Sequence, residues 1–351
     1  MRRLRNLVAA AAALAAVAVA LPASADASLK AIWGPTTLPD GSSAFPVYQK
    51  LGVDVLQIQL HWDAVAFARP ANPRDPADPA YHWPADLDQA ISAAEAVGMR
   101  VLLMPMRTPA WANGGFGPAL APTNPADFAD FTAAAAARYP AVKHWMIWGE
   151  PTINLLPMDP QSREGPQIYA RILDAAYEAI KGVHSSNIVI GGNTWTNASI
   201  PPKRWLKWSR LPNGKPPRLD WFGHNPFSFR FPDIHKRLYY PGVRDISDMD
   251  TLHREVVQTY RSRHRRPRLW LSEFTVLSGK NGRAFRFHVT RRQQARWLAA
   301  AYRLAHHEKY IAGLGWWKLL DDPPRPGAAN AGLMTWGLQH KPSFRAYRRA
   351  R

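Results

Sequence analysis

Short apolar runs recur along the chain, most of them separated by stretches with helical spacing. The runs cover residues 31–33, 53–60, 101–106, 144–148, 188–191, 219–223, 269–271 and 312–317. Near-continuous apolar strands, rather than alternating ones, are what a parallel sheet covered by helices requires. Between the runs, 86–97 carries Leu87, Ala90, Ile91 and Ala94 on one stripe and meets a stop signal in Gly98. Helical patterns also fill 126–139, with Phe128 and Phe131 on the apolar face, then 168–183, 249–260 and 292–306. The Pro-rich stretch 71–80 reads as an extended loop, and 195–217 has a poor helical pattern. Eight strands with helical crossovers predict a single-domain α/β fold, a (β/α)8 TIM barrel. No Gly-rich nucleotide loop follows the first strand, which disfavours an open doubly wound sheet.

The N-terminus changes the domain picture. Arg2, Arg3 and Arg5 precede an Ala/Val/Leu run over 7–21, and Ala23-Ser24-Ala25 supplies small residues for cleavage. This pattern predicts a secretion signal peptide over 1–25 and a barrel domain over 26–351. The apolar run falls short of the ~20 residues that span a bilayer, although an uncleaved leader would anchor the protein to the membrane. The expected location is secreted or extracytoplasmic. Cysteine is absent, so the core rather than disulfides must hold the fold.

The formal charge is +19, to which the leader arginines contribute three. Such a field favours anionic partners, among them acidic polysaccharide, cell-wall polymer or a membrane surface. Export argues against nucleic acid as a partner. The densest cationic stretch, 261–268, reads as a solvated helix end and loop. Charge therefore bounds what the protein adheres to, not what it catalyses.

Two acidic residues share similar surroundings: Trp145-Met146-Ile147-Trp148-Gly149-Glu150-Pro151 and Leu269-Trp270-Leu271-Ser272-Glu273-Phe274. Each acid follows a buried strand, the fourth and the seventh, and barrel sites lie at the C-terminal strand ends. Burying a carboxylate without a partner costs several kcal/mol, so a structural role for both is disfavoured. Two opposed carboxyl groups are the minimum equipment for cleaving a glycosidic bond.

At these motifs the chain resembles the retaining glycoside hydrolases of the (β/α)8 superfamily called clan A, in its β-xylosidase/α-iduronidase-like and cellulase-like branches. The resemblance implies that Glu150 is the acid/base and Glu273 the nucleophile. Looser matches support it. Asp220 to Phe227, reading Asp-Trp-Phe-Gly-His-Asn-Pro-Phe, resembles the sixth-strand segment that brings a His, here His224, and an aromatic beside the nucleophile. Gly315-Trp316-Trp317-Lys318 resembles the eighth strand, whose Trp floors the sugar site, and Arg107-Thr108-Pro109-Ala110-Trp111 resembles the third strand's loop. Gly332-Leu333-Met334 through Lys341-Pro342-Ser343-Phe344 resembles the closing loop and last helix. Two positions depart. Gly149 stands where the family has an Asn that binds the sugar 2-hydroxyl, so either another group takes over, with Asn154 and Asn193 as candidates, or the substrate differs there. Phe227 stands where a Tyr hydroxyl would touch the nucleophile.

Fifteen tryptophans are many, and Trp33, Trp62, Trp111, Trp148, Trp195 and Trp316 fall at predicted strand ends. Indole faces stack on the C–H faces of sugars. Trp62, Trp111 and Trp316 are therefore candidate substrate contacts, whereas Trp145, Trp221 and Trp270 read as core. His61, Asn193, His224, Asn225 and Lys318 complete the candidate substrate-binding set. No Gly-x-Ser-x-Gly elbow is present, and Ala305-His306-His307-Glu308 lacks zinc-helix spacing. No metal and no cofactor is implied. The expected activity is an exported retaining hydrolase acting on a poly- or oligosaccharide. The alternative is a catalytically weakened barrel that binds polysaccharide or anionic wall polymer.

Overall fold

The computed structural model describes residues 27–234, 236, 241–279 and 287–350, so the expected signal peptide lies outside the described residues. Eight parallel strands close into a barrel in sequence order. They are β1 (Leu29–Trp33), β2 (Val55–His61), β3 (Arg100–Met106), β4 (His144–Met146), β5 (Ile188–Trp195), β6 (Trp221–Asn225), β7 (Arg268–Phe274) and β8 (Ile311–Trp317). Closure comes from β1 pairing with β8, from Leu29 opposite Gly313 to Trp33 opposite Trp317. The predicted α/β (β/α)8 architecture is the observed one.

Among the described residues, the helices are α1 (Phe45–Leu51), α2 (Trp62–Val65), α3 (Ala85–Ala96), α4 (Pro125–Arg138) and α5 (Pro151–Asn154), then α6 (Glu164–Val183), α7 (Pro202–Trp208), α8 (Met249–Tyr260), α9 (Arg291–His307) and α10 (Pro342–Arg349). The long ones follow their apolar stripes. On α6, Tyr169, Ile172, Leu173, Ala176 and Ile180 are buried against the barrel. Local capping fixes several starts. Asn124 accepts from the Ala126 N–H at the head of α4, and Thr290 with Gln293 forms a capping box on α9. The helix α7 was not expected within 195–217, since seven residues behind two prolines give too short a window for a period to show.

The barrel interior is polar at one level and aromatic at another. Gln57 on β2 reaches across to β7, accepting from Trp270 Nε1 at 3.0 Å and donating to the Ser272 carbonyl at 2.8 Å. Gly315 on β8 faces the same space, and a side chain there would collide with the Ser272 carbonyl. Trp270 stacks on Trp221 with ring centres 5.7 Å apart, and His144 lies beside both. Trp145 and Trp270 are fully buried, as core residues should be. Burial holds the His144 pKa down to about 4, so this imidazole is neutral in the folded protein.

The loop from β8 to α10 is fastened by an internal ion pair. Lys341 donates to Asp321 at 2.8 Å, and the same oxygen accepts from the Gly332 N–H. Both side chains are buried. Removing one partner leaves an uncompensated charge, which is strongly destabilising. Lys341→Met should therefore lower unfolding stability by about 3–5 kcal/mol in chemical denaturation. A cost within experimental error would show that this pair does not hold the loop.

Candidate active site

The end of β4 and the end of β7 arrive at the barrel mouth by different routes. Regular strand geometry in β4 stops at Met146, yet the Ile147 N–H still bonds to the Ile190 carbonyl and the Trp148 N–H to the Pro105 carbonyl. Trp148 (φ 60°) and Glu150 (φ 42°) then adopt left-handed backbone conformations that non-glycine residues rarely occupy. Such positions persist where surrounding contacts over-determine them. Here Asn193, itself at φ 42°, donates its side-chain amide to the Ile147 carbonyl at 2.8 Å and to the Trp148 carbonyl. Asn154 donates to the Gly149 carbonyl at 3.0 Å, while Trp148 Nε1 donates to the Asn154 carbonyl. Glu150 thus sits past the strand, at the cap of α5, rather than as the last residue of β4.

Glu273 lies inside β7, one residue before its end. Alternation along a regular strand would place Trp270 and Phe274 on the same face. Trp270 instead faces Gln57 inside the barrel, while Phe274 packs edge-on against Trp316, whose alternation with Gly315 puts it on the outer side. The register between β7 and β8 is irregular between Leu271 and Phe274. That irregularity reverses the faces and turns Glu273 inward, a common way to re-aim a side chain beside a site.

One amide joins the two strand ends. Asn225, the last residue of β6, donates from Nδ2 to Glu150 Oε1 at 2.8 Å and accepts from Ser272 Oγ at 2.7 Å. Ser272 is held again through its carbonyl, which accepts from Trp33 Nε1 and Gln57 Nε2. Both carboxyl side chains are only partly exposed. Burial pushes Glu273 well above the usual carboxylate range, and the neighbouring negative charge of Glu150 pushes it further. Burial also raises Glu150, against the hydrogen bond from Asn225. Two such groups in one mouth titrate as a pair that retains a proton to higher pH than isolated carboxyls.

The remaining candidates separate by burial and by partners. His61 is half-buried at the end of β2 and bonds to Gln59 at 2.8 Å. Burial, then the nearby Arg107 guanidinium, lowers its pKa. Arg107 forks onto Asp63 with bonds of 2.9–3.1 Å, closing the mouth between β2 and β3. Trp111 is half-buried, with the Arg69 guanidinium 4.4 Å above its ring and its Nε1 donating to the Ala66 carbonyl. Lys318 pairs with Asp322 and lies over the Trp317 ring.

Five of the expected substrate contacts are buried. Trp62 is fully buried, wedged against Trp111, Phe128 and Phe131, so neither indole face can meet a sugar. Trp316 is also fully buried, on the outer side of β8, donating to the Ala331 carbonyl. Its neighbour Trp317 is half-buried and shares the inward-facing side of β8 with Gly315. His224 is fully buried: its Nε2 must donate to the Arg244 carbonyl, so Nδ1 accepts from the Thr194 hydroxyl. Burial lowers its pKa to about 4, and it serves as a neutral strut. Asn193 and Asn225 are buried, and their amides brace the strand ends that carry Glu150 and Ser272.

Three contributors escaped sequence reasoning: Gln57, Ser272 and Met104. A glutamine amid the apolar run of β2 was a visible signal, because a buried amide needs partners on both ends. Met104 had none. A Cβ at position 149 would lie 2.7 Å from its sulfur, so the thioether fills the space beside Gly149.

The fold has many solved counterparts. A family 39 glycoside hydrolase from the gut symbiont Bacteroides cellulosilyticus WH2 superposes with a TM-score of 0.69 at 19% identity, over 92% of this chain and 63% of that one. A glucosidase from Croceicoccus marinus gives 0.64 at 15% identity, over 92% and 67%. A monomeric β-xylosidase from Caulobacter crescentus CB15 gives 0.60 at 18% identity, again over 92% and 67%. The chain therefore spans about two thirds of these proteins or less. No curated protein matches it. The sequence itself matches the cellulase family, glycosyl hydrolase family 5, over residues 18–318. With that match spanning most of the barrel, the chain belongs to the cellulase family of glycoside hydrolases.

Proposed function

We propose that this glycoside hydrolase cleaves a poly- or oligosaccharide with retention, using Glu273 as nucleophile and Glu150 as acid/base. The observation that carries the reading is the placement of two half-buried carboxyls at one mouth, with Asn225 bonding Glu150 on one side and Ser272, the residue before Glu273, on the other. Glu273, ionised, attacks the anomeric carbon as the glycosidic bond breaks, and Glu150 delivers its proton to the leaving oxygen. Water then attacks the glycosyl ester, gives its proton to Glu150 and releases Glu273. In the empty mouth the contacts favour the proton on Glu273, because Asn225 stabilises the Glu150 anion. Positive charge growing on the sugar beside Glu273 moves that preference, leaving the proton on Glu150 where it is needed.

Further features support a carbohydrate substrate. Trp317 and Trp111 are half-buried near the strand ends, and a cavity of about 540 Å³ opens beyond β5 and β6, lined in part by Asn197, Phe227, Phe229 and Arg230. The leader-like segment at 1–25 supports export, which places the substrate outside the cytoplasm. The binding-only alternative draws on Gly149 and Phe227, which remove two polar groups from the mouth. It would be established if wild type released no aglycone from a panel of aryl glycosides while still binding glycan.

Glu150→Ala should lower turnover of natural linkages by about 10²–10⁴-fold, the usual contribution of a general acid–base. On an aryl β-glycoside with a good leaving group, azide should restore part of the rate and yield a β-glycosyl azide. No rescue at any azide concentration would remove Glu150 from this role. Asn225→Ala should raise the pKa of Glu150 and shift the pH–rate profile upward, whereas a purely structural asparagine would lower the rate without moving the profile.

The raised pKa values also fix a sign. A carboxyl whose folded pKa lies above its unfolded value loses stability as pH rises through the folded pKa. Glu273→Gln should therefore melt above wild type, by a margin that grows with pH across that range. A margin independent of pH would contradict the burial of this carboxyl.

A further inference from the structure

The chain's positive charge is not spread evenly among unpaired side chains. In the sequence-dense stretch 261–268, Arg263 pairs with Asp174 at 3.6 Å, Arg265 approaches Asp220 at 4.0 Å, and Arg268 donates to the Ile311 carbonyl. Much of that stretch is already engaged. A different place concentrates cations without acids: a cavity of about 440 Å³ on the barrel flank, between the first half of α6 and the end of α7.

Arg163 and Arg171 line it from α6 and its cap, Lys207 and Trp208 from α7, and Arg210 from the following loop, with Gln167 between them. No carboxylate lines it. Among the described residues, none of the four cations makes an ion pair, while acids further along α6 are occupied: Asp174 and Glu178 both bind Arg218. Arg163, Arg171 and Lys207 are exposed, whereas Arg210 and Trp208 are half-buried. A fifth cation, Arg204, lies 5.3 Å from the Trp208 ring centre and anchors to the Pro160 carbonyl. Burial lowers the Arg210 pKa, against a partial offset from the Tyr260 phenol, and no carboxylate pairs with it.

Clustering cations around a half-buried guanidinium is unfavourable unless an anion completes the set. An indole wall beside guanidinium forks suits a ring that carries its charge on a substituent. We propose that this flank cavity binds an anionic polysaccharide, its carboxylate or sulfate groups held by Arg163, Arg171, Lys207 and Arg210 and a sugar ring against Trp208. Neither Glu150 nor Glu273 lines it, and it would hold the enzyme on a charged polymer during hydrolysis elsewhere on the polymer.

Native affinity electrophoresis of the full chain tests this, with polygalacturonate, dextran sulfate or neutral dextran in the gel. Wild type should be retarded by the anionic polymers and not by the neutral one, and the stronger retardant identifies carboxylate or sulfate as the preferred group. Arg163→Ala/Lys207→Ala/Arg210→Ala should weaken binding about tenfold through lost charge-assisted bonds. Arg345→Ala/Arg348→Ala/Arg349→Ala removes the same charge from exposed positions on α10 and should leave binding near wild type. Equal weakening in both triple variants would reduce the effect to net charge and overturn the site. So would absence of retardation by either polyanion, or displacement of the glycan by duplex DNA at lower concentration. The readout does not involve Glu150 or Glu273, so its failure leaves the hydrolytic reading intact.

Discussion

Two carboxyl groups drawn half out of water at one end of a barrel cannot both ionise freely, and the architecture of the mouth follows from that constraint. The cost of desolvating a carboxylate exceeds what one hydrogen bond returns, so the pair holds a proton that isolated glutamates would have lost. Glycosidic cleavage by double displacement needs one such carboxyl ionised as nucleophile and the other protonated as acid. The same repulsion works against stability, and the strand ends that carry the acids are held by several hydrogen bonds.

Those fixings are backbone hydrogen bonds made by side chains of neighbouring strands. Asn193 holds the carbonyls of Ile147 and Trp148 where the chain runs through left-handed conformations toward Glu150. Trp33 and Gln57 hold the Ser272 carbonyl, and Asn225 takes its hydroxyl, immediately before Glu273. Asn225 then closes the circuit by donating to Glu150. The Gln57 and Asn225 amides, each bonded at both ends, specify one geometry, whereas apolar packing alone would tolerate several.

Much of the fold was legible in the sequence, because parallel strands buried on both faces are written as apolar runs and long helices as stripes. The limits have physical reasons. The short helix α7 offered no window for periodicity. A register irregularity in β7 sends Glu273 inward and Phe274 outward, and no residue type announces it. The tryptophan facing inward on β8 is Trp317 rather than Trp316, a one-residue error that reverses the face of the strand. His224 and Asn193 look like ligand-binding residues in a linear reading, yet internal hydrogen bonds that only the folded register brings together engage both His224 nitrogens and the Asn193 amide nitrogen. The two glutamates stood out because nothing else in their surroundings could excuse a charge.

The central claim concerns which atom becomes bonded to the sugar, and a covalent trap reads it directly. A 2-deoxy-2-fluoro glycoside with a good leaving group slows hydrolysis of the glycosyl ester more than its formation, so the intermediate accumulates on a retaining enzyme. Peptide mapping by mass spectrometry after such labelling should find the sugar on Glu273 alone. A label on another residue would contradict the assignment. Turnover without a trapped ester, giving a product of inverted configuration, would contradict double displacement itself.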